Sequence, residues 1–107
     1  MWQVQKEEDF DIWISTVCTL KVQHFEEKCR VYIDYKGYNV AFPIGMWGFE
    51  EEVRERKIRA ELEGEKGDFK SFCYVVNKQD LRLFCDLIFF FLSEHSLEGA
   101  LNDAIKY

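Results

Sequence analysis

Leu81 to His95 reads LRLFCDLIFFFLSEH, and the reading of this stretch decides the fold. It is apolar almost all round a helical wheel. Only Arg82, Asp86 and Ser93 form a polar stripe, and Phe89 lies on that same stripe, either exposed or under another element. A helix with so narrow a polar face is expected to be the central buried one. Asn77 or Asp80 stands where an N-cap is needed to accept from the first unpaired N–H groups. Beyond it, Ser96 is placed to cap a second helix, with Leu97, Ala100, Leu101, Ala104 and Ile105 as its apolar face.

Upstream the period changes from helical to alternating. Cys29, Val31, Ile33 and Tyr35 alternate, Lys36-Gly37 follows, and Tyr38, Val40 and Phe42 alternate in turn. Two alternating runs about a glycine turn predict a hairpin. Pro43 ends the pairing, because it has no N–H to donate. From Ile12 to Val22 the even positions Ile12, Ile14, Thr16, Cys18, Leu20 and Val22 fall on one face, which predicts a strand rich in β-branched residues. A helix beginning near Glu7 competes with it, since Phe10, Trp13, Ile14, Val17 and Cys18 fit helical spacing. Glu50 to Lys66 is dense in charge and helical by propensity. Ile58, Ala60 and Leu62 nevertheless alternate with Arg59, Glu61 and Glu63. The preferred reading is a short helical turn near 49–55, a strand from Arg56 to Glu63, a loop over 64–67 and a return strand from Asp68 to Val76. Together these elements predict an α+β fold: an antiparallel β-sheet of four to five strands with two C-terminal α-helices packed on one face. With 107 residues and no repeat, linker or low-complexity segment, the whole of 1–107 reads as a single domain.

Composition limits the function. Ten Phe, five Tyr and three Trp provide a core and exclude disorder, which needs low hydrophobicity as well as charge. With 20 Asp+Glu against 14 Lys+Arg the net charge is −6, which disfavours nucleic acid and anionic membranes as direct partners. It suits a basic partner, or simply solubility. Met1 to Asp11 (MWQVQKEEDFD) has no apolar leader core, and Leu87 to Leu92 is too short to span a bilayer, so a cytoplasmic protein is expected. Cys18, Cys29, Cys73 and Cys85 each sit in an apolar pattern and read as reduced, buried thiols.

Chemical motifs are sparse. Cys18, His24 and Cys29, with Cys73 or Cys85, lack the two-to-four-residue gap of zinc sites, so no metal and no other cofactor is expected. A cysteine nucleophile needs a neighbouring base, and neither His24 nor His95 is tied by pattern to a particular cysteine. The acidic runs Glu7-Glu8-Asp9-Asp11, Glu26-Glu27 and Glu50-Glu51-Glu52 read as solvated faces rather than converging catalytic pairs. No phosphate loop, nucleophile elbow or calcium loop is present. The expectation is therefore a protein without catalytic residues, whose function lies in a surface.

Two surface segments stand out. In Phe42 to Phe49 (FPIGMWGF), Met46, Trp47 and Phe49 precede Glu50, Glu51 and Glu52 directly. Aromatic and Met anchors beside carboxylates suit the grip on a basic protein; the rival reading plugs Trp47 and Phe49 into the core. Asp34, Tyr35 and Tyr38 at the hairpin tip form a second candidate. As a type, one small acidic α+β domain with such aromatic-plus-acid runs, the chain resembles the small bacterial immunity proteins that neutralise a cognate nuclease toxin, as in contact-dependent inhibition. The resemblance carries no family motif, so it transfers no site residues. It implies a basic nuclease toxin as partner and occlusion of its substrate groove as mechanism. A phage-type inhibitor or nucleic-acid mimic of another basic protein, and a small ligand-binding domain or enzyme, are the alternatives.

Overall fold

The structure is a computed structural model that describes residues 1–35, 48–64 and 72–94, with 38–39 described by their backbone. Its chain order is β1 (Gln3–Lys6), β2 (Phe10–Ile14), β3 (Thr19–Phe25), β4 (Lys28–Tyr35), β5 (Tyr38–Asn39), α1 (Phe49–Glu55), β6 (Ala60–Glu63), β7 (Cys73–Asn77) and α2 (Leu81–Glu94). All strands join one antiparallel sheet in the order β1-β2-β3-β4-β7-β6, with β5 paired to the far end of β4. The α+β class and the antiparallel sheet are as expected; the sheet is wider than four to five strands. The second C-terminal helix, from Ser96, lies outside the described residues. The second helix that is described, α1, precedes β6.

The expected strand Ile12–Val22 is two strands. Ser15 makes the break. Its Oγ accepts from the N–H groups of Val17 (3.1 Å) and Cys18 (3.0 Å) and donates to the Cys18 carbonyl (2.8 Å). A serine hydroxyl offers the backbone an alternative to the ladder, and here that alternative is a reversal. The reversal also changes which residues share a face. Trp13 pairs with Leu20, so Trp13 joins Leu20 and Val22 in the core, while Ile12 and Ile14 turn to the opposite face. The rival helix from Glu7 does not form.

The hairpin about 36–37 is present, with Tyr35 opposite Tyr38; Val40 and Phe42 lie outside the described residues. Cys29, Val31 and Ile33 are all buried, as their alternation predicts. The core is the layer between one face of the sheet and the helices. Leu20, Val22, Val31, Ile33, Tyr74 and Val76 meet Phe84, Cys85, Ile88 and Phe91 of α2 and Phe49 and Val53 of α1.

Helix α2 matches the predicted span, but it is less enclosed than its composition suggests. Leu83 is 44% and Phe90 52% exposed, so one flank faces solvent. Phe89 lies under Trp2, ring centroids 5.8 Å apart. Asn77 heads a 3-10 turn, Lys78–Asp80, that leads into α2, and makes no side-chain capping bond. Helix α1 ends before the predicted strand can begin at Arg56. Lys57 adopts φ 57°, its N–H bonds to the Arg54 carbonyl and that of Ile58 to the Val53 carbonyl. This is a Schellman stop with lysine where glycine is usual, closed by the contact of two buried side chains, Ile58 and Val53. The strand therefore starts at Ala60.

Candidate functional site

The meander β1–β2–β3–β4 sends the β1–β2 turn and the β3–β4 turn to the same end of the sheet. The first carries Glu7, Glu8 and Asp9, the second Glu26 and Glu27, and all five are exposed. Strand β7 ends there as well, and the Lys78 N–H bonds to the Glu27 carbonyl at 3.0 Å. Lys6, Lys28 and Lys78 are the nearby cations by sequence and register. Against the first turn lies a depression of about 380 Å³ lined by Glu7, Glu8, Asp9, Phe10, Asp11, Gln23 and His24. One half-buried aromatic thus sits among four carboxylates.

The floor of this depression leads into a row across three strands. His24 Nε2 lies 2.9 Å from Asp11 Oδ2, and His24 Nδ1 lies 3.3 Å from Cys29 Sγ. Burial pushes the Cys29 thiol up; the Lys78 charge opposes this and Asp11 adds to it. A thiol held protonated donates S–H to Nδ1, which leaves Nε2–H to donate to the Asp11 carboxylate. In that tautomer all three groups are satisfied. Cys29 has no exposed surface, so no substrate reaches its sulfur in this conformation. Among the described residues no group of three or more His, Cys, Asp or Glu side chains is arranged to hold a metal ion.

Of the residues singled out from sequence, those described do not come together in one site. Met46 and Trp47, and the side chains of Glu50 and Tyr38, lie outside the described residues. Phe49 is fully buried, against Phe91 at 5.2 Å and Phe84 and Tyr74 at 6.0 Å; it plugs the core, as the rival reading had it, and in this fold is no surface anchor. Glu51 is exposed, and Glu52 is held by Arg56 one turn on. Asp34 is exposed at the opposite end of β4, and Tyr35 packs against the core. The acidic runs at 7–11 and 26–27 are visible in sequence, but only the Ser15 reversal brings them to one end. The hydroxyl at Ser15 was the signal that would have found the site.

The sheet face away from the helices is electrically mixed. Lys21 Nζ stands 4.7 Å from the Phe10 ring centroid and 5.8 Å from that of Tyr32. Arg30 lies 4.0 Å over Phe25 and bonds Glu63 at 3.0 Å. Lys21 and Arg30 are thus engaged by rings and an acid of the same face. Comparison with protein-family models, curated proteins and solved structures returned no match. Among the described residues no helix is long and apolar enough to cross a membrane.

Proposed function

We propose that this chain binds and neutralises a basic protein, as an immunity protein does a nuclease toxin, by covering the partner's nucleic-acid groove. It has no turnover of its own in this reading. The observation that carries the proposal is the acidic end of the sheet: Glu7, Glu8, Asp9 and Asp11 around a depression with Phe10 in its wall, beside Glu26 and Glu27. Carboxylates on two turns steer a cationic surface and set its register, and the depression admits a lysine or arginine side chain. A nucleic-acid mimic would instead spread its acids along one extended face. Here Lys21 and Arg30 stand on the open face among Phe10, Tyr32 and Phe25, cations that interrupt such a face and favour a compact contact at its end.

The test is a titration against the product of an adjacent toxin reading frame, with nuclease activity followed in parallel, at low and high salt. Glu7→Gln/Glu8→Gln/Asp9→Asn is expected to slow association by roughly 3- to 10-fold and to flatten its salt dependence. Glu50→Gln/Glu51→Gln/Glu52→Gln is expected to do less. If the first variant, shown folded by circular dichroism, binds like the wild type, the site is misplaced. If the wild type binds no basic protein and turns over a small molecule, the reading fails.

A further inference from the structure

Strand β1 has no buried side chain. Gln3, Val4, Gln5 and Lys6 are all exposed, and among the described residues β1 pairs with β2 alone. Its turn to β2 is three successive acids closed by one backbone bond, from the Glu7 N–H to the Phe10 carbonyl at 2.9 Å. Beyond the ladder, among the described residues, Trp2 ties this segment to the body of the protein. The indole Nε1–H donates to Asp86 Oδ1 at 2.8 Å. Its ring meets Trp13 and Phe89 edge-on, each at 5.8 Å.

The receiving site survives without Trp2. Arg82 lies 3.5 Å from the same Asp86 oxygen and 5.7 Å over the Trp13 ring, so Asp86 keeps a cationic partner when the indole leaves. Opening β1 therefore breaks a four-residue ladder, two aromatic contacts and the indole hydrogen bond, and strands no charge. Opening β3 or β4 exposes Leu20, Val22, Val31 and Ile33, which are at most 1% exposed. Local opening free energies follow such differences in burial.

We propose that β1 is a detachable strap and Trp2 its latch: the segment swings out about Glu7–Asp9 while β2, β3, β4 and β7 stay folded. Release frees the hydrogen-bonding edge of β2 along Phe10–Ile14. It also uncovers Trp13 and Phe89, and Phe89 is continuous with the exposed Phe90, 5.7 Å from it.

Hydrogen exchange of the whole chain, read by mass spectrometry, tests this. The amides that bond β1 to β2 are expected to exchange at least about tenfold faster than those of β3, β4 and β7. Trp2→Ala is expected to speed the β1–β2 amides by a further factor on the order of ten, from the lost rings and charge-assisted bond, and to leave the inner strands unchanged. Trp2→Phe, which keeps a ring and loses the N–H, falls between. The proposal is overturned if wild-type β1 exchanges in step with β3 and β4. It is equally overturned if Trp2→Ala speeds every strand alike or unfolds the chain, since Trp2 then belongs to the global core.

Discussion

Replacing Phe49 by alanine separates two roles that its sequence context leaves open. As a surface anchor Phe49 would govern partner binding and contribute little to stability. In the structure it is 0% exposed and packs against three aromatic rings, Phe91, Phe84 and Tyr74, from both α2 and the sheet. Truncating so enclosed a phenylalanine costs roughly 3–5 kcal/mol, a figure that already includes the lost ring pairs. Against a total stability of about 5–15 kcal/mol this is a large fraction. The assay is urea unfolding followed by tryptophan fluorescence. A loss of about 4 kcal/mol at a slope of about 2 kcal/mol per molar lowers the midpoint by about 2 M. Glu51→Gln, on the exposed side of the same helix, is the control and should change stability by less than about 0.5 kcal/mol. A Phe49→Ala loss below about 1 kcal/mol refutes the core assignment and returns Phe49 to the surface.

Two further outcomes follow from the backbone and the thiols. Lys57→Gly relieves a left-handed residue at the end of α1 and should raise stability by about 1 kcal/mol in the same assay; a neutral or negative change means that φ 57° is not the native conformation there. Burial pushes the Cys18 thiol from 9.0 up to about 11, with the Ser15 bond opposing it and Asp34 adding to it. Between these values the unfolded chain has released a proton that the folded chain keeps, so stability is full below about pH 9 and falls as the pH climbs towards 11. Burial also raises Cys29, Cys73, Cys85 and Tyr74, with the same sign. Urea midpoints under reducing conditions should drop between pH 8 and 10.5, less so in Cys18→Ala, and a flat profile counts against buried thiols.

What sequence reasoning reaches here is set by the range of the interactions that decide each element. The span of α2 and the alternation of Cys29, Val31 and Ile33 depend on near neighbours, and both are legible. The alternation from Ile12 to Val22 is equally regular and misleads, because one serine hydroxyl turns the chain at Ser15 and inverts the faces. Trp13 consequently moves to the core and Ile12 and Ile14 away from it. Phe49 is ambiguous for a related reason: its surroundings come from α2 and β7, more than twenty residues away. Phe89 shows the limit most plainly. Its place on a polar stripe is readable, but its cover is Trp2, at the other end of the chain. The acidic site fails in the same manner: the runs at 7–11 and 26–27 are obvious singly, and their meeting depends on the strand count between them.

The Asp11–His24–Cys29 row has the connectivity of a hydrolytic triad, and its physical setting argues for a different use. A nucleophilic cysteine needs a lowered pKa and an open path to substrate. Cys29 has neither: burial raises it, and no part of it is exposed. Read from the other end, the row makes sense as support. Asp11 is the innermost carboxylate of the depression, on the core-facing side of β2, where a polar group needs a partner. In the tautomer with the proton on Nε2, His24 donates to Asp11 at 2.9 Å while the Cys29 thiol donates to Nδ1. The imidazole is thereby held in one orientation by β4 and holds Asp11 in one orientation on β2. A carboxylate so fixed has little orientational freedom left to lose when a cation enters the depression, which is what the proposed acidic site needs if it is to select a partner's geometry as well as its charge.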